Sequence, residues 1–227
     1  TTFKKRYLVE NQKLFRVSRL SDHLIEEDIE TQIIEKLEEI TPDINGIIIS
    51  DFVYGVISEK IIESILKLSE KYKFKIFGDL QCSTQVGLVT KFKNFNLISP
   101  NEKEARIALQ DKDSGLEAIS MKLIEITKSD HLVMKLGPEG FISYQGTSTR
   151  KFLRQSFPSL SINPLDVSGA GDALLSVLST ALSSGHDLMH ASALGCCMAA
   201  LAVEKMGNTP ISFSELESFI IEILEEN

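Results

Sequence analysis

The stretch Asp166-Val-Ser-Gly169-Ala170-Gly171-Asp172 decides the fold, because it leads directly into the small and apolar residues 173–181, which predict a helix. Glycines at the start of a helix let backbone N–H groups approach an anion, and the helix dipole favours negative charge there. Asp172 falls in the first predicted turn, where a carboxylate can take a proton from an attacking hydroxyl. The stretch predicts either a phosphate cradle with an acid beside it, or a tight turn in which Asp172 only caps the helix.

Around this stretch, short apolar runs rich in β-branched residues alternate with longer runs of helical period. This alternation is typical of a parallel sheet covered by helices. The predicted strands are residues 46–50, 74–77, 97–98, 131–136 and 141–144. The predicted helices are residues 26–40, a helix capped by Ser58, and residues 102–109, 116–127, 170–183, 187–206 and 213–224. Residues 3–19 stand apart, since their loose alternation predicts one or two strands that turn near Asn11.

Polar residues and glycines follow the predicted strands, which is where open α/β sheets bind their ligands. They are Asp51, Asp79, Asn101 with Glu104, and the Gly137/Gly140 turn. Acids at strand ends can hold Mg²⁺ directly or through water, as transfer of a phosphoryl group from a nucleotide requires. The sequence has no G-x-x-x-x-G-K-[ST] loop, no kinase catalytic-loop pattern and no G-x-S-x-G elbow. P-loop, protein-kinase and α/β-hydrolase functions therefore lose their main support.

The composition is that of an ordinary globular protein, with 43% hydrophobic and 25% charged residues among 227. A net charge of -8, without any Lys/Arg-rich run, argues against a general nucleic-acid binder or a protein of anionic membrane surfaces. No apolar stretch reaches the roughly 18 residues that a bilayer-spanning helix needs. The three cysteines fit neither a metal site nor a disulfide framework, so we expect a reducing compartment and a cytoplasmic location.

These motifs, in this order, resemble the ribokinase-like sugar kinases, also called the PfkB family. The segment 166–172 is similar to the C-terminal signature of that family, and Asn101-x-x-Glu104 to its Asn-x-x-Glu element. Lys135-Leu-Gly137-Pro-Glu-Gly140 resembles its nucleotide-side turn, and Ser50-Asp51-Phe52-x-x-Gly55 its substrate-side strand end. The resemblance implies an α/β three-layer sandwich, with a mostly parallel sheet and helices on both faces.

By this resemblance, the protein uses ATP and Mg²⁺ to phosphorylate a hydroxyl of a sugar or sugar phosphate, and Asp172 is the general base. The chain divides into lid-type strands at 1–20 and a nucleotide-binding kinase core at 21–227. The backbone of Gly169, Ala170 and Gly171 forms the anion hole. The other roles implied are Asn101 and Glu104 for Mg²⁺ and phosphate, Lys135, Gly137, Gly140 and Cys196 for the nucleotide side, and Asp51 and Asp166 for the substrate side, with a monovalent cation near Asp166.

Within the family, the likeness is greatest to the heptose 7-phosphate kinases that make the ADP-heptose precursor of bacterial lipopolysaccharide. It rests on Asn11-Gln12-x-Leu14-x-Arg16, Leu165-Asp166-Val167 and Lys205-Met-Gly-Asn-Thr209. The acceptor implied is a heptose 7-phosphate at its anomeric oxygen, and the lid strands imply a homodimer. The resemblance begins inside the family's fold, so we expect the first third of that fold to lie outside this chain.

Three departures keep other functions open. Those kinases usually carry Lys near the positions of Tyr54 and Gln81, and often Asn at that of Cys196. An amide or a phenol cannot replace an ammonium opposite a sugar phosphate. The alternatives are a kinase for another sugar, such as a ribose or fructose derivative, and a non-catalytic nucleotide-binding or assembly module of the same fold.

Overall fold

Two sheets organise the chain in the computed structural model, which describes residues 2–9, 12–21, 23–82, 87–146, 152–161, 164–207 and 209–225. The small sheet is an antiparallel hairpin of β1 (Phe3–Val9) and β2 (Gln12–Arg19), and the predicted turn at Asn11 lies outside the described residues. The large sheet has six strands, which lie side by side in chain order. They are β3 (Gly46–Asp51), β4 (Lys75–Leu80), β5 (Leu97–Ile98), β6 (His131–Lys135), β7 (Phe141–Gly146) and β8 (Phe152–Phe157).

Strands β3 to β6 run parallel, whereas β7 and β8 each run antiparallel to the strand before them. The helices are α1 (Glu27–Ile40), α2 (Glu59–Tyr72), α3 (Glu102–Leu109), α4 (Leu116–Thr127), α5 (Ala170–Ser183), α6 (Leu188–Val203) and α7 (Phe213–Glu225). Short 3-10 turns occupy Thr41–Asp43, Val89–Lys91 and Gly137–Glu139. Within the described ranges, no helix is both long enough and apolar enough to cross a membrane.

The strand residues alternate between two hydrophobic clusters, one on each face of the large sheet. Ile76 and Leu132 pack on one face with residues of α2 and α4. Phe77 and Val133 pack on the other face with residues of α5 and α6. Because side chains two residues apart in a strand share a face, Lys135 also projects from the α5 face. This arrangement confirms the predicted three-layer α/β sandwich with helices on both faces.

Most predicted elements are confirmed. The helices α1, α3, α4, α5 and α7 begin and end within one residue of the predicted bounds. Ser58 caps α2 as expected, since its side chain accepts a hydrogen bond from the N–H of Ile61. The helix predicted to reach Met206 is shorter, because α6 ends at Val203.

Two strand predictions are wrong. Asp79 was expected just past its strand, but β4 continues to Leu80, so Asp79 lies inside the strand and is buried. The second error is an omission: β8, which pairs with β7 at the edge of the sheet, is not predicted from the sequence. Residues 153–156 of β8 are exposed, so this strand lacks the apolar alternation by which a half-buried strand is recognised.

Candidate active site

The glycine-rich stretch forms the start of α5. Gly169 is the residue that caps the helix, at a φ of 84°, a left-handed backbone that favours glycine. Its carbonyl accepts a hydrogen bond from the N–H of Ala173 and so begins the helix. The N–H groups of the first helical turn have no acceptor four residues back, and they point out of the helix start. The backbone from Gly169 to Asp172 therefore offers an anion-binding cradle at the positive end of the helix dipole.

The carboxyl group of Asp172 is half-buried beside this cradle. The side-chain amide of Gln81 donates to its Oδ1 at 2.9 Å. Burial, followed by the charge of Asp79, raises the pKa of Asp172, while the hydrogen bond from Gln81, the charge of Lys135 and a hydrogen bond from Ser50 lower it. The net result is a raised pKa, which makes this carboxylate a stronger base than a solvated aspartate.

Asp79 and Lys135 form an ion pair next to Asp172. The Nζ of Lys135 lies 2.7 Å from Oδ1 of Asp79, and the two side chains are 17% and 1% exposed. The second oxygen of Asp79, Oδ2, is buried and has no hydrogen-bond partner within the described part of the chain. A Cβ atom placed on Gly171 would lie 3.5 Å from Nζ of Lys135. The ammonium group therefore lies against the cradle.

Asn101 and Glu104 form a capping box at the start of α3. Oδ1 of Asn101 accepts from the N–H of Glu104 at 2.8 Å, and Oε2 of Glu104 accepts from the N–H of Asn101 at 2.9 Å. Oε1 of Glu104 accepts from the N–H of Cys82 at 3.2 Å, which ties α3 to the end of β4. Burial raises the pKa of Glu104. The capping box adjoins Lys135, whose N–H donates to the carbonyl of Pro100 at 2.9 Å.

The turn after β6 carries the two predicted glycines, with φ values of 63° at Gly137 and 88° at Gly140. A Cβ atom on Gly140 would lie 2.0 Å from the carbonyl oxygen of Phe157. The next residue, Pro158, receives a hydrogen bond on its carbonyl from the Sγ of Cys196 at 3.0 Å. Burial raises the pKa of Cys196 to about 11, so the thiol stays neutral and acts as an internal donor. Gly140 and Cys196 thus meet the same segment of backbone.

An open groove of about 860 Å³ begins at this edge of the sheet and runs along α3. Asn101, Lys135 and Gly137 line its inner end, and Lys103 and Ile107 lie on its helical wall. Sites for small molecules have volumes of roughly 300–1,000 Å³. Through Lys135, the cluster at the start of α5 adjoins a cavity of the size that such a ligand requires.

Comparison with known proteins decides the family, because the profile of the pfkB family carbohydrate kinases matches residues 8–214. The chain belongs to this family. The bifunctional protein HldE of Helicobacter hepaticus is 30% identical to it over 224 residues, which are 97% of this chain and 44% of that protein. HldE of Campylobacter jejuni is 28% identical, with 96% of this chain and 46% of that protein covered. The pfkB-family chain therefore spans a little under half the length of these curated relatives.

Solved structures of two other proteins share the fold. Phosphofructokinase-2 from Escherichia coli, in complex with substrates and products, has a TM-score of 0.77 at 17% identity and covers 97% of this chain and 70% of its own. Ribokinase from Thermotoga maritima has a TM-score of 0.72 at 18% identity, with 97% of this chain and 70% of that chain covered. The predicted ribokinase-like fold of this pfkB-family chain is thereby confirmed.

Asp51, which the family resemblance assigns to the substrate side, lies on the opposite face of the large sheet from Asp172. Ile49 packs on the α2 face, and Asp51, two residues later in β3, shares that face. Its neighbour Ser50 is in register with Asp79, on the α5 face, and its hydroxyl contributes to lowering the pKa of Asp172. The structure therefore brings Ser50, and not Asp51, to the cluster around Asp172.

Asp166 fixes the turn that precedes α5. It is buried, its Oδ1 accepts from the N–H of Ser168 at 2.9 Å, and its Oδ2 accepts from the N–H of Gly207 at 3.2 Å. These bonds tie the start of α5 to the loop that follows α6. The substrate-side role of Asp166 and the monovalent cation beside it stay predictions.

Sequence reasoning misses three residues of this region. In the sequence, Gln81 is recognised only as a departure from the family pattern. In the structure, its side-chain amide donates a hydrogen bond to Asp172. Lys91 forms an ion pair with Oδ2 of Asp51 and belongs to a 3-10 turn that carries no motif. Ser50 could have been found, because successive residues of β3 point to opposite faces of the sheet. Ser50 therefore lies on the opposite face from Asp51. No local signal marks Gln81 or Lys91, since each meets its partner through tertiary packing.

Proposed function

We propose that the protein catalyses ATP-dependent phosphorylation of a sugar hydroxyl, and that its acceptor is a heptose 7-phosphate at the anomeric oxygen. The observation that carries the reaction is the half-buried Asp172 beside the backbone cradle of residues 169–171. Transfer of a phosphoryl group to a hydroxyl needs a proton acceptor and donors for the negative charge of the phosphate. Both stand together in the first turn of α5.

Each group at the start of α5 has a part in this reaction. Asp172 takes the proton of the acceptor hydroxyl as the hydroxyl oxygen attacks the terminal phosphorus of ATP and ADP leaves. Gln81 donates to Oδ1 of Asp172 and so helps to hold the carboxylate in place. The amides from Ala170 to Asp172 donate to the phosphoryl oxygens, at the positive end of the helix dipole.

The residues of the site fit Mg²⁺. Lys135 is the cation that acts on both Glu104 and Asp172, and Asp79 adds a third carboxylate, so negative charge exceeds positive charge. Oδ2 of Asp79 is buried with no hydrogen-bond partner among the described residues, and an oxygen of this kind suits a hard divalent cation. Asn101 and Glu104 are less available for direct coordination, because Oδ1 of Asn101 and both carboxylate oxygens of Glu104 already accept backbone N–H groups. When bound, the ion would neutralise phosphate charge next to the cradle.

The carboxylates of the site also fit the way in which proteins usually coordinate Mg²⁺. Across the described ranges, no group of three His, Cys, Asp or Glu side chains is arranged to hold a metal ion by itself. Mg²⁺ usually keeps several waters and binds through one or two carboxylates together with substrate phosphates. Asp79, with Glu104 reached through water, is therefore the pair that we assign to it.

The heptose acceptor is the finer part of the proposal. The identity of 30% to HldE over 97% of the chain supports it. A second candidate is another sugar, such as a ribose or fructose derivative, which the structural likeness to ribokinase and phosphofructokinase-2 favours. Phosphofructokinase-2 has also been solved in complex with potassium, which supports a monovalent cation in this protein as well. We propose that such a cation binds near Asp166. We expect the protein to work in the cytoplasm, where ATP is available.

We expect the full-length protein to release ADP when ATP, Mg²⁺ and a heptose 7-phosphate are supplied together. Its kcat/KM for that acceptor should exceed those for ribose and fructose 6-phosphate by about tenfold or more, because specificity is a difference in transition-state binding. A coupled assay of ADP release measures this ratio. In parallel, ATP with Mg²⁺ should raise the Tm, since a ligand that binds only the native state stabilises it.

The alternatives give different results in the same two measurements. A raised Tm without turnover on any of the three sugars would favour the non-catalytic nucleotide-binding module. Preferred turnover on ribose or fructose 6-phosphate would assign the other sugar kinase. An unchanged Tm at millimolar nucleotide, together with no turnover, would contradict both nucleotide-binding functions.

We assign the hairpin of β1 and β2 to the lid that the family resemblance implies. The Nζ of Lys4 lies 4.9 Å from the ring centroids of both Phe52 and Tyr54, whose rings are parallel within 9°. The N–H of Ile25, in the connection to α1, donates to the carbonyl of Gly55 at 3.2 Å. The first contact fastens the hairpin, and the second the chain that follows it, to the loop after β3.

The outer face of the hairpin predicts a homodimer. Phe3, Tyr7, Phe15 and Val17 are exposed there, and Tyr7 stacks on Phe15 with ring centroids 4.5 Å apart. Lys5 and Arg19 share this face, and the apolar side chains exposed between them invite pairing with a second copy. We expect light scattering at micromolar concentration to give a dimer that Phe15→Glu dissociates. The matched control is Leu224→Glu, on the exposed side of α7. A monomer, or equal effects of the two variants, would contradict pairing through the hairpin.

A further inference from the structure

We propose that Lys135 binds the terminal phosphate of ATP during transfer, and that Asp79 is the residue that positions it. The proposal rests on the proposed kinase function. It names the side chain that brings positive charge to the reacting phosphorus, and it follows from the place of the Asp79–Lys135 pair between the sheet edge and the start of α5.

Lys135 reaches the cradle from the end of β6. Its Nζ and Cδ lie 3.5 Å and 3.8 Å from the position that a Cβ atom on Gly171 would take. Gly171 is the second residue of α5, so its amide is one of the N–H groups that point out of the helix start. A phosphate held by these amides lies within reach of the ammonium group. The lack of a side chain at Gly171 keeps the space between them open.

Asp79 fixes the lysine in this position. The distance of 2.7 Å between Nζ and Oδ1 is that of a charge-assisted hydrogen bond, and the aspartate is 1% exposed. An ammonium group has three N–H donors, so one bond to Asp79 leaves two for a phosphate. The buried acid also restricts the rotamers of a long side chain before the ligand arrives, which lowers the entropy lost on binding.

The charge of Lys135 acts on the other acids of the site as well. It lowers the pKa of both Glu104 and Asp172, against the effect of burial. Gln81, just after the end of β4, donates to Asp172 from a neutral amide. The positive charge next to Asp172 is therefore supplied from β6, two strands away from the segment that carries Gln81.

The geometry points to the terminal phosphate in particular. Asp172 belongs to the same helical turn as Gly171, and a base must stand beside the hydroxyl that it deprotonates. That hydroxyl attacks the terminal phosphorus, so the group at the cradle is the one that is transferred. ADP lacks this group, and the difference between ATP and ADP therefore isolates the contact made by Lys135.

The test measures binding of ATP and of ADP, each with Mg²⁺, by titration calorimetry on the full-length protein. We expect Lys135→Met to raise the Kd for ATP by about tenfold or more, the loss of a charge-assisted contact, and to change the Kd for ADP by less than about twofold. Asp79→Asn, measured both with and without Mg²⁺ because Asp79 is also a proposed ligand of that ion, should shift the same ratio in the same direction by a smaller factor. Lys67→Met is the matched control, because Lys67 is exposed on α2, lies outside the groove, and should leave both Kd values unchanged.

Two outcomes would overturn the assignment: equal weakening of ATP and ADP binding by Lys135→Met, or no weakening of either. If Lys135→Met does not fold, as judged by circular dichroism, Lys135→Gln and the charge-retaining Lys135→Arg provide the comparison, and only the first should lose the preference for ATP. A wild-type protein that binds neither nucleotide would instead contradict the proposed function itself, and with it this role of Lys135.

Discussion

Replacing Asp172 with asparagine is expected to lower kcat roughly 10²- to 10⁴-fold, while the Kd for ATP changes little. Asparagine keeps the size of the side chain and can still accept from Gln81, but it cannot take a proton. The amides of the cradle are unchanged, so the nucleotide should bind as before. Steady-state kinetics with the preferred sugar, and calorimetry with ATP, measure the two quantities on the same preparation.

The pH dependence of the wild-type enzyme follows from the same residue. Burial and the charge of Asp79 raise the pKa of Asp172, and a general base acts only when it is deprotonated. The rate should therefore fall as the pH drops through this raised pKa, at a higher pH than a solvated aspartate would require. Asp172→Asn should lose this acidic limb, since its remaining activity depends on no proton acceptor at this position.

Gln81→Ala is the matched control for the base. It removes the hydrogen bond that lowers the pKa of Asp172, so the acidic limb should move to higher pH, while most of the turnover is retained at alkaline pH. Near wild-type turnover of Asp172→Asn would assign Asp172 to the helix cap alone. An unmoved limb in Gln81→Ala would show that another group controls the acidic limb.

Local patterns in the sequence predict the start of α5 and some of the residues that gather there. The segment 166–172 predicts a helix start with an acid in its first turn, because glycine conformation and helix capping are properties of consecutive residues. The strand ends predict which edge of the sheet carries the polar groups, since parallel strands share that edge. The family resemblance then supplies the order of the elements and the expected fold, which the structural neighbours confirm.

What the sequence does not reveal is which of these side chains meet. Gln81 and Asp172 are 91 residues apart, and Lys135 and Asp79 are 56 apart. Both pairs depend on the register of β4 and β6 and on how α5 crosses these strands. Local sequence patterns determine neither the register nor the crossing. The face of Asp51 is a different case. Strand alternation determines the face of Asp51 once the bounds of β3 are known. Its position away from Asp172 could therefore have been derived from the alternation alone.

Replacing Gly140 with alanine is expected to lower the free energy of unfolding by about 3 kcal/mol or more. Gly140 has a φ of 88° and a ψ of -129°, a region that only glycine enters readily. A Cβ atom there would lie 2.0 Å from the carbonyl oxygen of Phe157 and 2.8 Å from the carbonyl carbon of Pro158. Both neighbours are backbone atoms, so the turn and the end of β8 would have to separate.

The matched control lies in the same turn. Gly137 also has a positive φ, of 63°, but a Cβ atom there would meet nothing within 4 Å among the described residues. Gly137→Ala should therefore cost only the backbone strain, about 1 kcal/mol. Urea denaturation of both variants measures the difference. Equal losses would mean that the turn moves away from β8 at little cost, and that Gly140 is required only for its backbone conformation.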